Sequence, residues 1–289
     1  MKPELLVDSR SEVGEGPSWD RRTGTLLWVD ITAGLVHSYD PGKDTDTVVG
    51  RGRFVSCVVP RKAGGLAVTL QDGFYTLNPK TGRTTPLAVV EEDPRCRFND
   101  GKCDPAGRFW AGTMDIKEGT PRGALYCFEH GTKPRRAIAK VTVSNGLGWS
   151  PDEGTMYYID SPTRRVSAFD YRAETGEIRR RRTVVDFSSE PGEPDGMAVD
   201  AEGMIWVAHW GGWRITRFDP ENGKAIEHFS FPASQVASCC FGGRSLQELY
   251  VTTARVGLDA DAVTKQPLAG GLFRLKTDVK GLPTNLFEG

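Results

Sequence analysis

Four oxygen-bearing side chains recur at one phase of this sequence. Glu15 lies nine residues before Gly24, Asn99 eight before Gly107, Asn145 nine before Gly154 and Asp195 eight before Gly203. Each is followed within two positions by glycine, as Glu15-Gly-Pro, Asn99-Asp-Gly, Asn145-Gly-Leu and Asp195-Gly-Met. A glycine there permits a tight backbone approach into the strand that follows. Any one of the four, alone, would read as a turn cap, and it is their common phase that argues for convergence. Carboxylate and carboxamide oxygens are hard donors, so the set suits Ca2+, Mg2+ or Mn2+ better than a structural zinc site. Glu15 and Asp195 would supply two negative charges to a divalent ion. A protein set of three ligands would leave positions open for water and substrate, as catalysis requires. Ser56 and Cys239 stand near the same slot in two further segments and are weaker ligands for a hard cation.

Arg97 precedes Asn99 by two residues, a spacing that puts both side chains on one face of an extended segment. A guanidinium there suits a polyhydroxylated or anionic ligand, with a structural ion pair as the alternative. His209 and Trp210 follow the strand-like run Ile205 to Ala208 and belong either to a pocket rim or, for the histidine, to the core. The four histidines have no metal-ligand spacing. No Gly-Xaa-Ser-Xaa-Gly elbow occurs, so a serine-nucleophile hydrolase has no local support, and no phosphate-cradling loop occurs. Asp100, Asp104 and Asp152 read as turn formers, and Asp30 and Asp160 as hydrogen-bonding residues at strand ends.

Positioning these residues requires a repeated element. A unit of glycine, short apolar strand, turn and second strand starts at Gly24, Gly65, Gly107, Gly154 and Gly203 and near Leu246. A recurrence every 41 to 49 residues is long enough for a four-stranded blade. Aromatic and β-branched residues fill the strands. Asn78-Pro-Lys-Thr-Gly82 and Asp219-Pro-Glu-Asn-Gly223 are hairpin turns in which proline presets φ and glycine accepts a positive φ. The expectation is all-β: one six-bladed β-propeller over residues 1–289, with four-stranded antiparallel blades and the ring closed by Leu5-Leu6-Val7-Asp8. A sandwich leaves six similar units unexplained, and a solenoid wants polar caps. In a propeller, equivalent positions of successive blades ring the axis, so the four phased residues should meet there.

Composition narrows the partners. Lys and Arg total 37 and Asp and Glu 38, for a formal net charge of -1, which gives no global pull toward nucleic acid or an anionic membrane. Arg179 to Arg182 is the densest basic run and reads as a solvated edge. No stretch approaches 18 consecutive apolar residues, so no membrane span is expected. The chain opens without a secretory apolar region, and its 38% hydrophobic content supports a core without staples. The six cysteines are therefore expected as buried free thiols, with Cys239 and Cys240 on opposite faces of one strand, in a cytoplasmic monomer or weak homodimer.

Five segments together carry a resemblance to a known family: GEGPSWD at Gly14 to Asp20, RFNDGKCDPAGRFWAGTM at Arg97 to Met114, SNGLGWSPDEGTMYYIDS at Ser144 to Ser161, PDGMAVDAEGMIWVA at Pro194 to Ala208, and ASCCFGG at Ala237 to Gly243. They span nearly the whole chain, which resembles the gluconolactonase and regucalcin (senescence marker protein) family. The resemblance implies a six-bladed propeller with one divalent metal ion held by Glu15, Asn145 and Asp195. Calcium, zinc, manganese and magnesium are all associated with the family. It further implies a small sugar lactone as substrate, contacted by Arg97 and Asn99, with Asp195 acting as general base as well as ligand. Relatives carry a glutamate on the loop after the Gly-Thr-Met strand. Here that loop reads Met114-Asp-Ile-Lys-Glu-Gly-Thr-Pro121, and either Glu118 or Lys117 stands for it. The implied reaction is hydrolysis of an aldonolactone such as glucono-1,5-lactone. A calcium-binding propeller without catalysis, and an esterase or phosphotriesterase on a less polar substrate, are the alternatives.

Overall fold

The computed structural model describes residues 2–90 and 93–289. Strand β1 (Glu4–Val7) precedes five consecutive four-stranded antiparallel units. These are β2 (Gly14–Asp20), β3 (Thr25–Asp30), β4 (Leu35–Asp40) and β5 (Thr45–Arg51); β6 (Cys57–Pro60), β7 (Leu66–Leu70), β8 (Gly73–Leu77) and β9 (Thr84–Val89); β10 (Cys96–Cys103), β11 (Phe109–Asp115), β12 (Gly123–Phe128) and β13 (Arg135–Val141); β14 (Ser144–Trp149), β15 (Thr155–Asp160), β16 (Arg165–Arg172) and β17 (Glu177–Asp186); and β18 (Glu193–Val199), β19 (Ile205–Trp210), β20 (Arg214–Phe218) and β21 (Ala225–Ser230). The last unit is β22 (Gln235–Gly242), β23 (Glu248–Ala254) and β24 (Leu272–Lys276). It takes β1 as its fourth strand, with Glu4 opposite Arg274 and Leu5 opposite Phe273. A single pairing, Trp210 with Gln235, joins the fifth and sixth units at their edge. The architecture is the six-bladed propeller, closed by the N-terminal strand as the repeat predicts.

Burial explains why the strands read as they do. Each blade is covered on both faces by its neighbours, so β11, β12, β14 and β15 are almost wholly buried. The core is a set of interblade layers. One packs Phe74 of the second blade against Phe98, Phe109 and Phe128 of the third, and another packs Trp206 of the fifth against Phe241 of the sixth. Burying each such side chain is worth about 1.5–3 kcal/mol. The outermost strands face solvent. Arg179 to Arg182 lie on one of these, β17, as an exposed edge. The two Pro-containing turns close as hairpins, with Gly82 N donating to Asn78 O at 2.9 Å and Gly223 N to Asp219 O at 2.8 Å, both glycines at positive φ.

An aspartate six residues before a tryptophan anchors two inner hairpins in the same way. Trp110 Nε1 donates to Asp104 Oδ2 and Trp206 Nε1 to Asp200 Oδ2, each at 2.9 Å. Asp104 also receives Arg108 and the Tyr171 hydroxyl at 3.0 and 2.7 Å, and its side chain is fully buried. It is a turn former, as expected, but one shared between two blades. Asp104→Ala would leave the buried Arg108 guanidinium without its counter-charge, with only the Tyr171 hydroxyl and Ala173 O as acceptors. We expect a loss of about 3–5 kcal/mol in urea unfolding at neutral pH, and a loss below about 1 kcal/mol would contradict this account. Asp152 is a surface turn former, accepting from Gly154 N at 3.1 Å. Asp30 and Asp160 cap strand ends through the backbone amides of residues 12–13 and 142–143.

Cys57, Cys103, Cys127, Cys239 and Cys240 are free and buried, and Cys96 is buried. Cys239 and Cys240 pack into different interblade layers, as alternation along β22 demands. Burial pushes the Cys57 and Cys239 thiols up to about 12, so neither is a reactive thiolate at neutral pH. Among the described residues no helix is long and apolar enough to cross a membrane.

Candidate active site

The innermost strands β2, β6, β10, β14, β18 and β22 pack against one another around the axis. Four of them break register at the phased residues. The ladder shifts between Glu15 and Ser18, between Phe98 and Gly101, between Ser144 and Leu147, and between Pro194 and Met197. Glu15, Asn99, Asn145 and Asp195 thus sit at or inside a β-bulge, which locally frees a residue from pairing and re-aims its side chain. The polar-then-glycine pattern of the sequence is the chemical trace of these bulges.

All six residues singled out in the sequence, Glu15, Arg97, Asn99, Glu118, Asn145 and Asp195, line one cavity of about 260 Å³. Glu118, on a turn with φ of 57°, reaches it, and Lys117 does not. Ser56 and Cys239 do not line it. β6 pairs with β7 in unbroken register, and Ser56 Oγ is tied to Thr69 Oγ1 at 2.7 Å. Trp210 is on the cavity wall, whereas His209 is core. Its Nδ1 meets Pro191 O at 2.9 Å, its ring packs on Phe187, and burial lowers its pKa to about 4.

The polar floor is a directed chain. Arg97 donates to Asn99 Oδ1 at 2.7 Å and to Phe98 O at 2.9 Å. Asn99 Nδ2 then donates to Ser144 O at 2.8 Å and Asn145 Oδ1 at 3.3 Å, and Asn145 Nδ2 to Ser161 Oγ at 3.0 Å. No ion pair to Arg97 occurs among the described residues, which removes the structural salt bridge as its explanation. Burial lowers its pKa, while Glu118, Glu15 and Asp195 act in the opposite sense.

The carboxylates are short of positive charge. Burial, then repulsion from Asp100, raises Glu15 to about 8, although its Oε2 accepts Gly16 N at 2.9 Å. Burial, then Glu15, Asp100 and Glu193, raises Asp195 well above the usual carboxylate range. Asp195 Oδ1 is buried and has no hydrogen-bond partner among the described residues. Buried carboxylates left in this state are costly unless a counter-charge joins them, so this oxygen donor set fits a hard cation. Among the described residues no three His, Cys, Asp or Glu side chains gather as a ligand group; the set is two carboxylates and two carboxamides.

Two acidic residues escape the sequence reading. Asp100 is not a turn former but lies buried within β10, with Oδ1 accepting from Gly101 N at 2.7 Å and Oδ2 without a partner among the described residues. Asn99 and Asp100 both fall inside the register break, and of the two only Asn99 lines the cavity. Glu193 lines the cavity two residues before Asp195 on β18. The signal was available, since the same i, i+2 spacing links Arg97 to Asn99.

With the geometry in place, comparisons with known proteins agree among themselves. Residues 13–255 match the family model described as the SMP-30/Gluconolactonase/LRE-like region. Regucalcin of Danio rerio is 41% identical over 292 residues, covering 100% of this chain and 99% of the relative. A luciferin-regenerating enzyme superposes with a TM-score of 0.93 at 34% identity, over 99% of each chain. A calcium-binding regucalcin from Agrobacterium tumefaciens gives 0.94 at 31%, over 99% of this chain and 97% of that one. A match over most of the sequence, on a shared fold, places the chain plainly: it belongs to the SMP-30/gluconolactonase/LRE-like family.

Proposed function

We propose that this chain, acting as one domain in the cytoplasm, hydrolyses a sugar lactone to the open aldonic acid with one divalent cation held by Glu15, Asn145 and Asp195. The observation that carries the reading is Asp195 Oδ1, buried and without a partner among the described residues, on the cavity that Glu15 and Asn145 also line. The calcium-binding description of the Agrobacterium relative supports a hard cation. When bound, such an ion supplies Lewis acidity at the carbonyl and eases deprotonation of water. Asp195 takes the proton from the water that attacks the carbonyl carbon. The bond between the carbonyl carbon and the ring oxygen then breaks, the ring oxygen takes the proton held by Asp195, and the new carboxylic acid loses its remaining proton to solvent as the aldonate leaves. Arg97 and Asn99 orient the hydroxyls of the sugar, and Glu118 accepts from one at the mouth. Calcium, zinc, manganese and magnesium are all candidates for the ion.

The test is hydrolysis of five- and six-membered sugar lactones, followed by pH-stat against spontaneous opening, with and without added cation. Failure to open any of them faster than buffer rejects the reading. Arg97→Ala should act chiefly on binding. KM is expected to rise about 10-fold or more, as for loss of a charge-assisted hydrogen bond, with kcat changing less. A fall confined to kcat would reassign Arg97.

A second reading has its own observation. Phe54, Met114, Ile116, Trp210 and Val256 also line the cavity and give it apolar surface, which favours an ester with a less polar substituent. A substrate panel that includes alkyl and aryl esters separates the two.

A further inference from the structure

Glu193 has no part in the chemistry proposed above. It is an exposed residue at the start of β18, directly opposite Trp210 of β19. Directly opposed residues of an antiparallel pair project to the same face, and both line the cavity. Among the described residues neither Glu193 nor Glu118 forms an ion pair, and Arg97 is the one cationic residue that lines the cavity. Four carboxylates therefore face one guanidinium. A divalent cation on the floor offsets two of the four and Arg97 a third, so the mouth keeps a negative charge after the site is loaded.

We infer that Glu193 is a specificity-determining residue that disfavours anionic ligands at the mouth, so that the site selects neutral lactones over phosphorylated or carboxylated ones and releases its carboxylate product readily. The choice of substrate rests on the lactonase reading above. The reaction itself makes the charge useful. A neutral lactone enters, and hydrolysis turns it into an anion beside the floor cation, which would otherwise retain it. A fixed carboxylate at the exit opposes that retention and costs a neutral substrate little. Because Glu193 is exposed and outside the floor, its field acts across solvent and weakens with salt.

The experiment compares wild type, Glu193→Gln and Glu193→Asp, all loaded with Ca2+. Turnover is measured on glucono-1,5-lactone and its 6-phosphate. Binding of gluconate and of the neutral 1,5-anhydroglucitol is measured by calorimetry. For E193Q, the kcat/KM ratio of phosphorylated to neutral lactone is expected to rise on the order of fivefold at low salt. The gluconate-to-anhydroglucitol affinity ratio should rise similarly, and both gains should shrink in 0.5 M NaCl. E193D, which keeps the charge, should restore both ratios toward wild type. Unchanged binding discrimination in E193Q, or an equal change in E193D, overturns the inference even if lactones are opened. If no lactone is opened but gluconate binding tightens in E193Q alone, the lactonase reading falls and the role of Glu193 at the mouth stands.

Discussion

Asp195→Asn is expected to lower lactone turnover at least ~100-fold at saturating cation, the lower end for loss of a general base. The substitution keeps an oxygen donor and nearly the same volume, but an amide cannot take a proton from water at neutral pH. Metal affinity should fall too, which is why the comparison belongs at saturation. Unfolding should not account for the loss. Asp195 is buried and is repelled by the charges of Glu15, Asp100 and Glu193, so removing its charge relieves repulsion in the cation-free protein. The thermal midpoint of the cation-free variant should match or exceed that of wild type. If D195N turns over lactone like wild type, the base lies elsewhere. If it is inactive but melts far below wild type, the residue is structural and the assignment fails as well.

Stripping divalent cations should bring turnover down to the buffer rate, and adding one back should restore it. The same titration carries a pH signature. Without a cation Glu15 titrates near 8, against 4.5 for an ordinary glutamate. Between those values the folded protein holds a proton that the unfolded chain has released. This contribution to stability is therefore fully present below pH 4.5 and is lost as pH rises through about 8. A cation must displace that proton, so its apparent affinity should climb with pH up to about 8 and level off above. At a cation concentration 100 times the dissociation constant the stabilisation is about 2.7 kcal/mol. The gain in melting temperature over chelated protein, at one fixed cation concentration, should accordingly be larger at pH 8 than at pH 5. An equal or larger gain at pH 5 would show that Glu15 does not hold the ion.

The residues that meet at the cavity were legible because a propeller converts phase into proximity. Glu15 and Asp195 are far apart in sequence, yet each precedes its repeat glycine by eight or nine residues, and radial repetition brings equal phases to one axis. The closing strand was equally legible, since an unpaired apolar run at one end has one open edge to join. Which phased residues face the cavity was decided only in three dimensions. Ser56 occupies a similar phase, but β6 keeps its ladder with β7 and holds the serine on Thr69, whereas bulges in β10, β14 and β18 turn Asn99, Asn145 and Asp195 to the axis. A bulge is set by local twist and by the blades on either side, and polar-glycine pairs signal it without fixing its register. Asp100, which reads in the sequence as a turn former, lies buried at the same break. His209 and Trp210 are adjacent in sequence and equally plausible at a rim, yet the pleat sends one into the core and the other to the wall. Glu193 and Glu118 become neighbours of one mouth only when the third and fifth blades share an axis. The sequence thus specified the donors and their convergence, and tertiary packing decided their aim and the charge that surrounds them.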